Sequence, residues 1–300
     1  MLAQGWSLQG VMVTGLDTGA VTTGGAAWQR LLDGLARGPA CLVEVESTQG
    51  SAPREPGAWM AVFSAEAGGA VVGTVGGGHL EWQALAAARA HLAGIPGDAL
   101  RRFVLGPSLG QCCGGVVHLR FTVVTAADVA ALYQRLAPRL APVALFGGGH
   151  VGHALARVLQ PLPFALTWID SRDGIFPSPA PEGVQCEHSS PVQASVPQLA
   201  PGTSVLVMSF SHAEDLDVVM ACLQRQRERG DLPFIGLIGS RTKWATFRHR
   251  LAARGFSNEE LAHITCPIGV PGITGKEPEV IAIAVAAQLL QLRAQQLAAA

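Results

Sequence analysis

The segment Val143-Ala-Leu-Phe146, followed by Gly147-Gly-Gly149-His150-Val-Gly152 and an amphipathic stretch to Leu159, constrains this chain more than any other. It has the spacing G-x-G-x-x-G directly after an apolar strand and at the opening of a helix. Gly147 permits the tight turn, Gly149 lets backbone amides approach a phosphate, and Gly152 lets helix and strand pack closely. The helix N-terminus adds unpaired N–H groups and a partial positive charge. Asp170 ends the next apolar run, where an acidic side chain ordinarily accepts a ribose hydroxyl. A phosphate site on an α/β sheet is the expectation. The plainer alternative is a glycine turn that only closes a strand–helix–strand unit.

The flanking sequence keeps the rhythm of such a fold. Beyond the breakers Pro138 and Pro142, strand candidates at Val143–Phe146, Ala165–Ile169, Val205–Met208, Phe234–Ile238 and His263–Cys266 alternate with helices. Ser211…Glu214, Ser257…Glu260 and Thr274…Glu277 have the spacing of a reciprocal helix cap. The first half reads differently. A helix face at Trp28–Leu35 precedes short strands at Cys41–Val45, Trp59–Phe63 and Val71–Val75, a helix at Leu80–Leu92, strands near Phe103 and at Val116–Val124, and a helix at Asp128–Leu136. The prolines and glycines of Ser47–Gly57 exclude regular structure there. The expected organisation is an irregular extension over residues 1–25, a smaller N-terminal α+β domain over 26–138, and a C-terminal Rossmann-like α/β domain over 142–300. In the last, helices cover both faces of a parallel sheet.

Composition removes several function classes. Of 300 residues 49% are hydrophobic and 14% charged, against a usual charged share of about 25%, so a disordered chain is excluded. Residues 1–141 carry nine Lys/Arg and nine Asp/Glu, and residues 142–300 carry twelve and thirteen. Neither half has the basic excess of a nucleic-acid binder. No Lys or Arg stands in the first 29 residues, as a secretory signal would require. The longest unbroken apolar run near the C-terminus, Val280–Ala287, falls short of the roughly 20 residues of a membrane span. Six scattered cysteines without a CxxC pair argue against a zinc module or a disulfide scaffold. The expectation is a soluble, cytoplasmic protein with neither nucleic acid nor membrane as partner.

Other clusters carry possible chemistry. In Gly239-Ser240-Arg241-Thr242-Lys243, after an apolar strand, Ser240 or Thr242 suits a helix cap while Arg241 and Lys243 suit an anion; solvated cations are the alternative. Lysine occurs only at 243 and 276, against nineteen arginines. In Gly110-Gln-Cys112-Cys113-Gly-Gly115, either cysteine reads as an activated thiolate or as a small buried hydrophobe. Gly76-Gly-Gly78-His79-Leu-Glu81 is half of a phosphate loop, in which Glu81 complements the helix dipole. Arg54 sits on the stiff segment Ser51–Gly57, suited to an anion or a surface ion pair. His150 and His153 share a helix face but have no third ligand of matching spacing.

Six blocks in order resemble the xanthine dehydrogenase accessory protein family, the XdhC/CoxI-type molybdenum cofactor chaperones. They are Glu44–Gly57, Val75–Glu81, Gly110–Gly115, Leu145–Gly152, Gly236–Lys243 and Cys266–Val285. The resemblance runs from Trp28 to Leu292 and departs from the commoner family ending at Val270–Lys276. It implies binding of the molybdenum cofactor (molybdopterin), its sulfuration by a cysteine desulfurase, and delivery to apo xanthine dehydrogenase or a related molybdenum hydroxylase. It implies a homodimer and no turnover of the protein's own. On that basis Gly147, Gly149, His150, Gly152, Asp170, Ser240, Arg241, Lys243, Cys112, Cys113, Arg54 and Glu81 are the candidate cofactor-binding residues. Cys112 or Cys113 would lie near molybdenum. An NAD(P)-dependent oxidoreductase using the same glycine turn is the alternative. It would need hydride-transfer partners, and no Tyr-x-x-x-Lys pair occurs, Tyr133 being the one tyrosine.

Overall fold

The computed structural model describes residues 25–106 and 114–299. They form two compact units, one within Arg30–Arg135 and the other made of residues 25–29 with 136–299. Helix α1 (Gly25–Leu35) opens the described chain.

The first unit is an antiparallel sheet of order β3-β2-β1-β5-β4. Its strands are β1 (Ala40–Gln49), β2 (Trp59–Phe63), β3 (Val71–Gly73), β4 (Leu100–Val104) and β5 (Val116–Val124). Alternate residues Cys41, Val43 and Val45 of β1 join Met60, Val62, Leu119 and Phe121 on one face, as the two-residue strand period dictates. Helix α2 (Gly78–Leu92) lays Leu80, Ala84 and Ala88 on that face, and α3 (Val129–Leu136) ends the unit. One expectation is corrected here. Ser47–Gln49 are strand, not loop: after a register shift between Val45 and Ser47, β1 resumes pairing with β5 as far as Gln49 opposite Val116. A bulge absorbs the extra residue, and irregular backbone begins at Gly50.

The second unit is a six-stranded, wholly parallel sheet of order β11-β10-β9-β6-β7-β8. Its strands are β6 (Ala141–Phe146), β7 (Phe164–Asp170), β8 (Val184–His188), β9 (Ser204–Val207), β10 (Phe234–Leu237) and β11 (Ile264–Thr265). Counted from β6 this is the doubly wound order 3-2-1-4-5-6, whose switch point lies between β6 and β9. Ala144, Phe146, Val205 and Val207 face helices α5 (His212–Arg229) and α6 (Arg241–Ala252) through Leu216, Val219 and Phe247. Val143, Leu145 and Leu206 face α4 (His150–Leu159) and α8 (Pro278–Ala299) through Leu155, Leu159, Val285 and Leu289. With both faces covered, the central strands read as unbroken apolar runs. The parallel sheet with helices on both faces is as expected from sequence.

Three local features differ from the sequence reading. Strand β8, Val-Gln-Cys-Glu-His, is polar because it is an edge strand, and periodicity does not disclose it. Thr274…Glu277 caps nothing: α8 starts at Pro278, and the Glu277 carboxylate accepts the Lys276 amide instead. The other two spacings do cap, Ser211 ahead of α5 and, reciprocally, Ser257 with Glu260 ahead of the short helix α7 (Asn258–Leu261). Finally, counting unbroken apolar runs understates α8. It is the one helix among the described residues long and apolar enough to cross a membrane, although Ala282, Val285, Ala286 and Leu289 pack into the core of the second unit.

Candidate functional site

At the switch point, Gly147 follows β6 with φ of +126° and donates its N–H to Ile169 O at 2.8 Å. A Cβ on Gly147 would stand 2.0 Å from Met208 O, and one on Gly152 2.0 Å from Gly147 O. Both glycines are therefore demanded by backbone contact. Gly149 is different. Its φ of −77° suits any residue, and a Cβ there would meet nothing within 4 Å. It caps α4 with no side-chain hydrogen bond, whereas α5, α6 and α7 are each capped by a serine hydroxyl. No side chain caps the first-turn amides of α4, which leaves them free for an anion at the helix N-terminus. His150 is exposed there, and His153 sets its ring edge-on to Trp168.

Asp170, 1% exposed at the end of β7, is already engaged. One carboxylate oxygen accepts Gly148 N–H at 2.6 Å and Arg172 Nη2 at 2.9 Å; the other accepts Arg172 N and Nε, both at 2.9 Å. Burial pushes its carboxyl up, but the Arg172 and Gly148 hydrogen bonds outweigh that and hold it below the ordinary carboxylate value. The carboxylate therefore has no capacity left for a ribose hydroxyl or a pterin amine. What it presents instead is the Arg172 guanidinium, half-exposed and 4.5 Å from the ring of Phe210, itself 66% exposed. Sequence reasoning missed Arg172, although an arginine two residues past a strand-end acid is visible in the sequence.

Across the switch point, Ser209 follows β9. Its N–H donates to Asp215 Oδ1 at 2.7 Å, and its amide nitrogen would be 3.1 Å from a Cβ on Gly147. Its hydroxyl oxygen is buried without a hydrogen-bond partner, the one such side-chain atom among the described residues. Buried hydroxyls are nearly always paired, so this one stands apart from the other buried side-chain groups. No sequence signal distinguishes Ser209.

The cluster after β10 divides. Ser240, not Thr242, caps α6 by accepting Lys243 N–H. The Lys243 ammonium, 11% exposed, bonds the Asp215 carboxylate at 2.5 Å and Ile238 O at 2.8 Å. Its anion is internal, a buried pair tying α5 to α6. Arg241 remains exposed on the wall of a cavity.

In the first unit, Arg54 and Glu81 come together. Pro53 packs on Gly76, Arg54 Nη1 donates to Thr74 O at 3.4 Å, and one oxygen of Glu81 accepts Val75 N at 3.2 Å, Gly77 N at 3.1 Å and the Thr74 hydroxyl. Glu81 thus fills the nest of amides that the glycines create. Gly115 abuts Gln49 and Ser51, bringing the start of β5 to the same place. Cys112 and Cys113 lie outside the described residues. Among the described residues no group of three His, Cys, Asp or Glu is arranged to hold a metal.

A doubly wound parallel sheet with this turn at its switch point makes the second unit a Rossmann-type domain. Residues 143–289 match the model of the XdhC Rossmann domain, and residues 35–103 match that of the XdhC and CoxI family. The chain belongs to the XdhC family. It is 27% identical over 263 residues to the uncharacterized protein YqeB of Escherichia coli, an alignment covering 85% of this chain and 44% of YqeB. The chain thus spans less than half of that relative. In fold it is similar to a crystal structure described as a xanthine dehydrogenase from Bacillus halodurans, with a TM-score of 0.71, 18% identity, and coverage of 90% of this chain and 96% of that one.

Proposed function

We propose that this chain is an accessory protein that binds the molybdenum cofactor, holds it while a cysteine desulfurase loads sulfur, and passes it to an apo xanthine dehydrogenase or related hydroxylase. Membership of the XdhC family supports the maturation role. The observation that carries the binding site is the uncapped N-terminus of α4 at the switch point, with the backbone of Ser209, whose hydroxyl has no partner, beside Gly147. Together they offer a buried polar partner and a row of amide donors with a helix dipole behind them, which suits a phosphate-bearing ligand. Once bound, the cofactor supplies the molybdenum centre on which the recipient hydroxylase depends.

The chain's own residues divide the work. Gly147 and Gly152 set the turn by backbone contact, Gly149 leaves room for the phosphate, and the α4 amides bind it. Arg172, oriented by Asp170, adds a cation at the rim, and Phe210 beside it offers an apolar ring face. A dinucleotide is the other ligand for such a turn, but Asp170 has spent the oxygens that would accept its ribose hydroxyls. The same oxygens are closed to a pterin amine, so membership of the XdhC family, not Asp170, favours the pterin ligand over NAD. In this reading the protein is a binding and transfer partner that works as a homodimer.

Protein isolated from molybdenum-replete cells is expected to carry pterin, read by fluorescence after oxidation, and to show no tight binding of NADH. Ser209→Ala is expected to reduce the bound pterin several-fold while raising stability by about 1 kcal/mol, because an unsatisfied buried hydroxyl is removed. Pterin-free protein that binds NADH tightly would reverse the reading.

A further inference from the structure

The cavity that Arg241 borders, about 650 Å³ in volume, lies at the carboxyl ends of β10 and β11. Its size falls within the roughly 300–1,000 Å³ range of small-molecule sites. The glycine-rich loop from Pro267 to Lys276 forms one wall, held in place by Gly269 N–H on Gln288 Oε1 at 2.7 Å and Val270 N–H on Ala284 O at 3.2 Å. Ile238, Ile281 and Ala284 form an aliphatic wall.

Its charge is one-sided. Arg241 and Lys276 line it, and the side chain of neither makes a hydrogen bond or ion pair among the described residues. No lining residue is acidic. Glu277 adjoins the loop, but its carboxylate accepts the Lys276 amide at 2.9 Å; Glu279, in the first turn of α8, is exposed and also outside the lining. Arg241 is the first residue of α6, and Val280 and Ile281 stand in the first turn of α8, so two helix N-termini border the cavity. Two unpaired cations of different shape, two positive dipole ends and the Thr274 hydroxyl suit a phosphate. The aliphatic wall suits an organic body attached to it.

We propose that this cavity is a second ligand site taking an organic phosphate ester of about nucleotide size, gripped by Arg241 and Lys276. It stands independently of the molybdenum reading, since none of the β6–α4 turn lines it.

The test is calorimetric titration of the full chain with adenosine 5′-monophosphate and, separately, with inorganic phosphate. The nucleotide is expected to bind, more tightly at low salt. Arg241→Ala and Lys276→Ala should each weaken it about tenfold or more, Lys276→Arg should retain most of the affinity, and Gly149→Asp should leave it unchanged. Both cations are exposed, so unfolding curves of these variants should match the parent's. Inorganic phosphate should bind more weakly than the nucleotide; equal affinities would contradict the aliphatic wall's role. Absence of nucleotide binding, or wild-type binding by the Arg241→Ala/Lys276→Ala double variant, overturns the proposal. Loss of binding in Gly149→Asp alone would move the nucleotide to the glycine turn and equally overturn it.

Discussion

The chain writes Gly-Gly-Gly-His twice before a helix, at Gly76–His79 and Gly147–His150, and uses the two turns in opposite ways. In the first, the residue five positions after the leading glycine is Glu81, whose carboxylate takes the amides of Val75 and Gly77. In the second the equivalent residue is Gly152, where even a Cβ would collide with Gly147 O. The first turn therefore carries its own anion. The second gives its Gly147 amide to Ile169 O and its Gly148 amide to Asp170, both on the neighbouring strand, and leaves the α4 terminus without a side-chain cap. The same glycines take different conformations, Gly77 and Gly78 having positive φ where Gly149 has φ of −77°, and the downstream Glu81 satisfies amides of the first turn in a way that Gly152 cannot in the second.

That contrast breaks most sharply at Gly152. Gly152→Glu, which would give the second turn the first turn's acid, is expected to cost at least about 3 kcal/mol, because backbone cannot yield as a flexible side chain can. Urea unfolding measures it; a near-neutral result would mean that the two turns are interchangeable.

Asp170→Asn comes next, at about 3 kcal/mol, for the loss of charge-assisted bonds to Arg172 and Gly148. Its signature is in pH. The folded-state pKa of Asp170 lies below its ordinary value of 3.8, so the carboxylate's contribution is fully present above that value and is lost as pH falls through the lowered one. As pH falls below 3.8, the parent should lose stability more steeply than the variant.

Glu81→Ala is smaller, at about 2 kcal/mol, from three donors left without their acceptor. It should also open the first turn to anions. Added phosphate is expected to raise the melting temperature of the variant more than that of the parent; equal rises would mean that Glu81 does not occupy an anion nest.

Much of this was legible in the sequence, and the parts that were not share a cause. The parallel sheet, both glycine turns and two of three helix caps follow from local pattern, because strand periodicity, turn glycines and Ser-x-x-Glu spacing act within a few residues. Edge strand β8 escaped because a strand with little to bury needs no apolar pattern. At the site, residue types were readable but not their partners. Lys243 looks like an anion ligand until the fold brings it Asp215, 28 positions earlier, and Asp170 looks free until Arg172 turns back on it. Ser209, by its lack of a partner, and the meeting of Arg241 with Lys276 are properties of three-dimensional packing alone.

The most direct measurement is pterin content in Gly149→Asp. The position has room for a side chain and an ordinary backbone conformation, and aspartate at a helix N-cap is favourable relative to glycine by a few tenths of a kcal/mol. The variant should melt within a few degrees of the parent yet carry little or no oxidisable pterin, its new carboxylate taking the amides as Glu81 does in the other turn. Parental pterin content in a well-folded Gly149→Asp protein would contradict the placement of the phosphate at this turn.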